Sequence, residues 1–322
     1  MNEFKIGTYI RRRREELGLS QEELALGICS PSTLSRIENN QQDPSRSLTR
    51  QLLGRLNLPQ ERFLALWDQK SISIAALMRE INNDMIRHRQ APKEEKPQVQ
   101  KQIREKMEKL GELAAPDDRS TQQFLLSTEA RLDGPDGPRS IEERLEMQLE
   151  AIRLTCPAFD PEDFRRGHYT MDECVLINQI ANSYSDAGQQ ERAIDMYRQL
   201  LWYVEKNTKE LSGYSARFTL IAHNYAIDLL EDKQYARAIE VAEQGLETCR
   251  HYEDYYFLPG FLAIQAESNY FFGKEAESKK LYLQAYYIYE AYGDKSNQEN
   301  MRKEMKEYFG MEMPESMTDF LH

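Results

Sequence analysis

Residues 20–40 run Ser20-Gln21-Glu22-Glu23-Leu24-Ala25-Leu26-Gly27-Ile28-Cys29-Ser30-Pro31-Ser32-Thr33-Leu34-Ser35-Arg36-Ile37-Glu38-Asn39-Asn40. Ser20 followed three residues later by Glu23 is a capping box: the hydroxyl takes the Glu23 N–H while the Glu23 side chain reaches back to the Ser20 N–H. It opens a short helix through Leu24, Ala25 and Leu26. Gly27 permits a tight turn. Ser30 then caps a second helix whose first position is Pro31, where a missing N–H costs nothing. Leu34 and Ile37 share one face of that helix and point inward, while Ser32, Thr33, Ser35 and Arg36 cover the rest. Two short helices, a glycine turn and a polar outer face make a helix-turn-helix.

Beyond this stretch the chain continues as helix after helix. Apolar residues recur at spacings of three and four, as in Ile177, Ile180, Ala181 and Tyr184, and no run alternates with period two. The fold class is therefore all-α. An internal repeat organises the second half: Ala181, Tyr184, Gly188, Ala193 and Tyr197 align with Ala226, Leu229, Lys233, Ala238 and Ala242, and again with Ala266, Asn269, Gly273, Ser278 and Tyr282. The small first and fourth positions let two antiparallel helices approach, and the pattern resembles the tetratricopeptide helix–turn–helix repeat. Such units bury their apolar faces only by stacking, which builds a solenoid with a concave inner surface. Ile72 to Gly111 and Ile141 to Pro157 read as further helix pairs, Gly134-Pro135-Asp136-Gly137-Pro138 as a turn, and Asn297 to Tyr308 as a capping helix.

Composition excludes several function classes. The 322 residues carry a formal net charge of -12, which argues against a protein that coats nucleic acid nonspecifically. The charge is uneven: residues 1–66 hold 10 Lys+Arg against 8 Asp+Glu, a net of +2, and the rest of the chain holds a net of -14. A slightly basic head on an acidic body marks two functions. No apolar run approaches the roughly 18–20 residues of a membrane helix, and the start lacks the apolar core of a secretory signal. Cys29, Cys156, Cys174 and Cys249 are scattered without metal spacing and read as reduced thiols of a cytoplasmic protein. His168 is the one histidine near Cys156 and Cys174, with no oxyanion loop beside them. No phosphate-binding glycine loop is present. The expectation is no enzyme, no cofactor, no metal and no membrane partner.

The string GTYIRRRREELGLSQEELALGICSPSTLSRIENNQQDPSRSLTRQLLGRL, residues 7–56, resembles the Cro/repressor-like helix-turn-helix family of XRE type. The short Gly27-Ile28-Cys29-Ser30 turn looks particularly like the peptide-responsive RRNPP regulators of Gram-positive bacteria, which join such a head to a tetratricopeptide-like body. The resemblance implies a five-helix lambda-repressor-like head in residues 1–66, a linker helix with a first divergent helix pair in 67–119, and a repeat sensor and dimerisation domain in 120–322. Asn40 stands where the family usually has glycine. Asparagine tolerates the left-handed conformation, so the turn is expected to survive.

Roles carry over by position. Gln21 and Asn39 match residues that hold backbone phosphates, and Pro31, Ser32, Ser35 and Arg36 match positions facing base edges, with Thr33 on the same polar face. Arg36 is the expected base reader, because a guanidinium can donate twice to guanine O6 and N7; solvated hydroxyls are the plain alternative for Ser32 and Ser35. Arg14 and Glu38 match a bracing ion pair. The run Arg11 to Arg14 cannot form one phosphate-binding stripe, since consecutive helical residues point about 100° apart. Pairing with Glu15, Glu16 or Glu22 is expected instead.

In the repeats, the first helix of each pair lines the concave face, which places Asn178, Asn182, His223, Asn224, Ile227, Glu267 and Tyr270 on or beside it. Asparagine offers both a donor and an acceptor to the amides of an extended peptide, and the resemblance implies a short signalling peptide there. Packing between helices is the alternative for the asparagines, and a packed ring the more common state for His223. The aromatic cluster from Tyr252 to Tyr292 reads as repeat core plus dimer surface, with a pocket for peptide side chains as the alternative. The expected partners are a double-stranded DNA operator, a signalling peptide and a second copy of the chain. A scaffold that docks a folded protein and uses its head as a DNA anchor is the competing function.

Overall fold

The computed structural model describes residues 5–58, 69–92, 94–132, 137–209, 211 and 213–311. Among the described residues there are fifteen helices and no strand. The chain divides into two compact units, Met1–Ala187 and Gly188–His322.

The first unit begins with α1 (Ile6–Glu16), α2 (Gln21–Ala25), α3 (Pro31–Glu38) and α4 (Arg46–Arg55). Their apolar stripes meet in a core of Ile10, Leu19, Leu24, Ala25, Leu34, Ile37, Leu52 and Leu56, which are nearly or fully buried. Gly7 of α1 lies directly on the C-terminal turn of α3, where a Cβ would fall 1.9 Å from the Ile37 carbonyl oxygen. Asn40 has φ 55, the left-handed turn expected of it, and its Nδ2 donates to Thr8 Oγ1 at 2.9 Å. A fifth head helix and the boundary at 66/67 fall on residues 59–68, outside the described residues.

The same unit continues with α5 (Gln69–Gln90), α6 (Lys96–Leu113), α7 (Arg119–Leu132), α8 (Ile141–Thr155) and α9 (Met171–Asp186). Helices α5 and α6 pack together around Ile74, Leu77, Ile81, Val99 and Ile103, the pair expected over Ile72 to Gly111. Ile141 to Pro157 is corrected: it holds one helix, α8, opened by a Ser140–Glu143 capping box, and its partner is α7. The expected turn at Gly134 to Pro138 lies outside the described residues except for Gly137 and Pro138.

The second unit contains α10 (Gln190–Thr208), α11 (Tyr214–Glu231), α12 (Tyr235–Tyr252), α13 (Leu258–Phe271), α14 (Glu275–Tyr292) and α15 (Lys295–Phe309), with α11 packed on α12 and α13 on α14. The repeat positions have a common physical basis. Ala193, Ala226, Ala238, Ala242, Ala266 and Ser278 are fully buried, which is why only small residues serve there. The third position of each copy, Gly188, Lys233 or Gly273, has φ 73, 61 or 72 and turns the chain out of its helix. Ser278 stands where alanine is usual and donates its hydroxyl to the Ala266 carbonyl at 2.6 Å, so the polar atom is satisfied inside the seam. Helix α15 closes this unit by burying Met301 and Met305 against Leu281, Tyr282, Ala285 and Tyr286.

Candidate nucleic-acid interface and ligand face

The capping box of α2 is formed on both sides: Glu23 N donates to Ser20 Oγ at 3.1 Å and Ser20 N donates to Glu23 Oε2 at 2.7 Å. Leu26 leaves the helix and Gly27 turns with φ 76. Ser30 Oγ then accepts from Thr33 N at 3.1 Å, and Pro31 occupies the first turn of α3. With Leu34 and Ile37 buried, Pro31, Ser32, Arg36 and Asn39 are exposed and Thr33 and Ser35 half-buried. The hydroxyls of Ser32 and Thr33 lie 2.9 and 2.8 Å from Ser30 Oγ. Arg36 Nε rests on its own helix at the Ser32 carbonyl, 3.4 Å away, and among the described residues the guanidinium meets no carboxylate. It is free to donate in a plane.

The face is braced from behind by Glu38. Arg14 Nε and Nη2 donate to the two Glu38 oxygens at 2.6 and 3.0 Å, and Arg14 Nη1 donates to the Leu19 carbonyl at 2.7 Å. Hydrogen bonding to Glu38 holds the Arg14 pKa above its ordinary value. Gln21 Nε2 donates to Glu38 Oε2 at 2.8 Å. One carboxylate therefore ties α1, α2 and α3 together and spends one amide N–H of Gln21. The other arginines of α1 are occupied along their own helix, Arg11 with Glu15 and both Arg12 and Arg13 with Glu16; Glu22 takes no part.

Within the first unit the head is seated on α7, α8 and α9 through contacts that sequence reasoning did not find. Arg50 of α4 donates to Asp118, to Ser120 Oγ at 3.0 Å and to Thr121 Oγ1 at 2.9 Å. Burial alone would raise the Asp118 pKa, but Arg50 and the hydrogen bonds of Thr121 and Ser120 hold it below the ordinary value. Arg55 donates to the Thr155 carbonyl at 2.8 Å and to Glu173 at 3.3 Å. Gly27 is pressed against the same carbonyl: a Cβ would lie 2.2 Å from the Thr155 oxygen. Cys156 donates its thiol to Glu173 at 3.2 Å, and burial pushes its pKa well up. The partners of Arg50 and Arg55 lie 68 to 118 residues away in sequence, and no local pattern announces them.

The expected ligand residues fall in both units. In the first, Asn178 of α9 is 2% exposed and Asn182 half-buried. In the second, the His223 ring of α11 lies 5.1 Å from the Phe257 ring and 5.7 Å from Phe261, and packs on Gly260. Burial lowers its pKa to about 4, so it is neutral near pH 7. Asn224 and Ile227 are half-buried on the same helix. On α13, Glu267 accepts from the Tyr308 hydroxyl at 2.8 Å, and the Tyr270 ring stacks on Tyr308 at 4.4 Å. Tyr308 of α15 thus brings Glu267 and Tyr270 together. The aromatic cluster divides, with Phe261, Tyr282 and Tyr286 fully buried and Tyr255, Tyr256, Phe271, Phe272 and Tyr292 exposed. Among the described residues no group of His, Cys, Asp and Glu is arranged to hold a metal, and no helix is long and apolar enough to cross a membrane.

Residues 10–59 match the helix-turn-helix family model. No curated protein matches the sequence. Among solved structures, Bacillus thuringiensis PlcR in complex with the peptide PapR7 and DNA is 19% identical with TM-score 0.60, over 92% of this chain and 98% of that one. PlcR in its apo form is 18% identical with TM-score 0.57, over 92% and 97%. The apo competence regulator ComR from Streptococcus vestibularis is 16% identical with TM-score 0.51, over 95% and 98%. This chain therefore carries a helix-turn-helix domain, followed by a helical-repeat body whose fold is similar to those of PlcR and ComR.

Proposed function

We propose that the chain is a sequence-specific DNA-binding transcriptional regulator whose repeat body binds a short signalling peptide of quorum-sensing type and thereby shifts its DNA-binding state. The observation that carries the DNA half is α3: a polar face with an uncommitted guanidinium at Arg36, braced from behind by the Arg14–Glu38–Gln21 network. Such a helix enters a major groove, where arginine can donate twice to guanine. Gln21 and Asn39 flank this face and take backbone phosphates, while Pro31, Ser32, Thr33 and Ser35 lie against base edges.

The peptide half is supported by the fold shared with PlcR, a protein solved with both a peptide and DNA. Asn178 and Asn182 in the first unit and Asn224, Ile227, Glu267 and Tyr270 in the second are the contacts proposed for the peptide, with His223 as a neutral ring next to Asn224 on α11. Two copies of the chain present paired heads to two half-sites about 34 Å apart or a multiple of that. A peptide moves this equilibrium only by its differential affinity for the two arrangements of the heads. Binding would take place in the cytoplasm, without a cofactor and without catalysis.

The test is recovery of the full-length chain from its host, followed by mass spectrometry of what it carries. A short oligopeptide supports this reading; a stoichiometric folded protein with no peptide overturns it.

A further inference from the structure

A cavity of about 410 Å³ lies inside the first unit, between α4, α5, α7 and α9. That volume falls in the range of small-ligand sites. Part of its wall is apolar, supplied by Met78 of α5, Phe124 of α7 and Leu176 of α9. Four arginines reach it: Arg50, Arg55, Arg79 and Arg131. Two are matched by acid, Arg50 by Asp118 and Arg55 by Glu173.

Arg79 and Arg131 are not matched: among the described residues neither has a carboxylate within 4.0 Å. Arg79 is exposed and Arg131 half-buried. Arg131 Nε donates to the Ser127 carbonyl of its own helix at 3.3 Å, which satisfies a donor without cancelling the charge. Burial, and then the like charge of Arg89, lower the Arg131 pKa to about 10. Desolvating a guanidinium beside other cations is unfavourable, and a fold keeps such an arrangement only against that cost. The one other acid on the wall, Asp172, is exposed. An apolar recess with two unbalanced planar forks calls for a ligand with an apolar body and a carboxylate, the group a guanidinium holds by two parallel hydrogen bonds.

We infer that this cavity receives a carboxylate of the signalling peptide, clamped by Arg131 and Arg79, with apolar side chains of the peptide against Met78, Phe124 and Leu176. The inference rests on the peptide reading above. It also shifts the α9 contacts: Leu176 and Gln179 line the cavity, whereas Asn178 does not.

The test uses the full chain and three pools of randomised heptapeptides. The first lacks Asp and Glu and ends in a free carboxylate. The second is identical but amidated. The third is amidated and contains Asp and Glu. Retained peptide is counted by mass spectrometry for the wild type and for Arg131→Gln and Arg79→Gln. The expected result is a preference on the order of tenfold for a pool bearing a carboxylate over the second pool, lost in Arg131→Gln and reduced in Arg79→Gln. Preference for the first pool assigns the chain terminus, and preference for the third an acidic side chain. Equal retention of all pools by the wild type overturns the carboxylate site and leaves the peptide reading standing, as does a preference unchanged in both variants. Retention of no pool counts against the peptide reading, and citrate then decides the site: it must raise the melting temperature of the wild type more than that of Arg131→Gln, and equal shifts overturn the inference.

Discussion

Arg36 and Glu38 sit two residues apart on α3 and answer to different physics. Arg36 is exposed and, among the described residues, its guanidinium touches nothing acidic, so Arg36→Ala leaves the melting temperature unchanged. It weakens binding to the preferred DNA by about 1–3 kcal/mol and relaxes specificity at one base pair, readable by fluorescence anisotropy on matched and mismatched duplexes. Glu38 is 2% exposed and balances the buried Arg14. Glu38→Gln leaves that cation only the half-exposed Glu15, 3.6 Å away, and thermal or urea unfolding should show a loss of up to about 3 kcal/mol; an unchanged stability would mean the head does not depend on this bridge. The outward placement of Arg36 and the Arg14–Glu38 bridge were legible in the sequence, because the motif sets which residues of α3 face out and which face back. Arg50 and Arg55 were not: their acids are brought to them by the packing of α4 on helices far along the chain. Arg79 and Arg131 carry no sequence signal for the same reason, since a cavity has no signature in any one helix.

Among the elements, the repeat was legible because its demands are local. A small residue is needed where helices touch and a left-handed residue where the chain turns. Lys233 meets the second demand poorly. Its φ of 61 suits glycine, which stands at the equivalent positions 188 and 273. Lys233→Gly should therefore stabilise the chain by up to about 1 kcal/mol, part of the gain being offset by the freer unfolded backbone; a lowered melting temperature would contradict the turn assignment. Ile141 to Pro157 reads as a pair and folds as one fifteen-residue helix, because apolar spacing alone does not separate that helix from two short ones.

Helix α15 carries a pH dependence. Burial, then the Glu267 carboxylate of α13, pushes the Glu304 pKa up to about 7, although Tyr282 favours the charged form and Glu307 disfavours it. The folded value lies above the unfolded one of about 4.3. The stabilising contribution is therefore full below that value and disappears as pH rises through about 7. Melting followed by circular dichroism at pH 6 and pH 8 should show the lower stability at pH 8, with the gap narrowed in Glu304→Gln. An equal gap in both proteins would remove Glu304 as its cause.

For the whole molecule, the total charge of -12 describes the body, while the first 66 residues carry +2. Four arginines in a row look like a phosphate-binding patch, yet the first three are paired on α1 and the fourth is buried with Glu38. Little of the head's charge is left for nonspecific attraction, which fits the proposal that recognition comes from fitted contacts on α3 and from two heads acting together. The account's central claim is that α3 reads base sequence, and the most direct measurement is selection of bound duplexes from a randomised DNA pool by the full chain and by Arg36→Ala in parallel. The account predicts that the wild type enriches a motif of two related half-sites and that Arg36→Ala loses preference at one base pair in each. No enriched sequence with the wild type, or the same motif from both proteins, would contradict it.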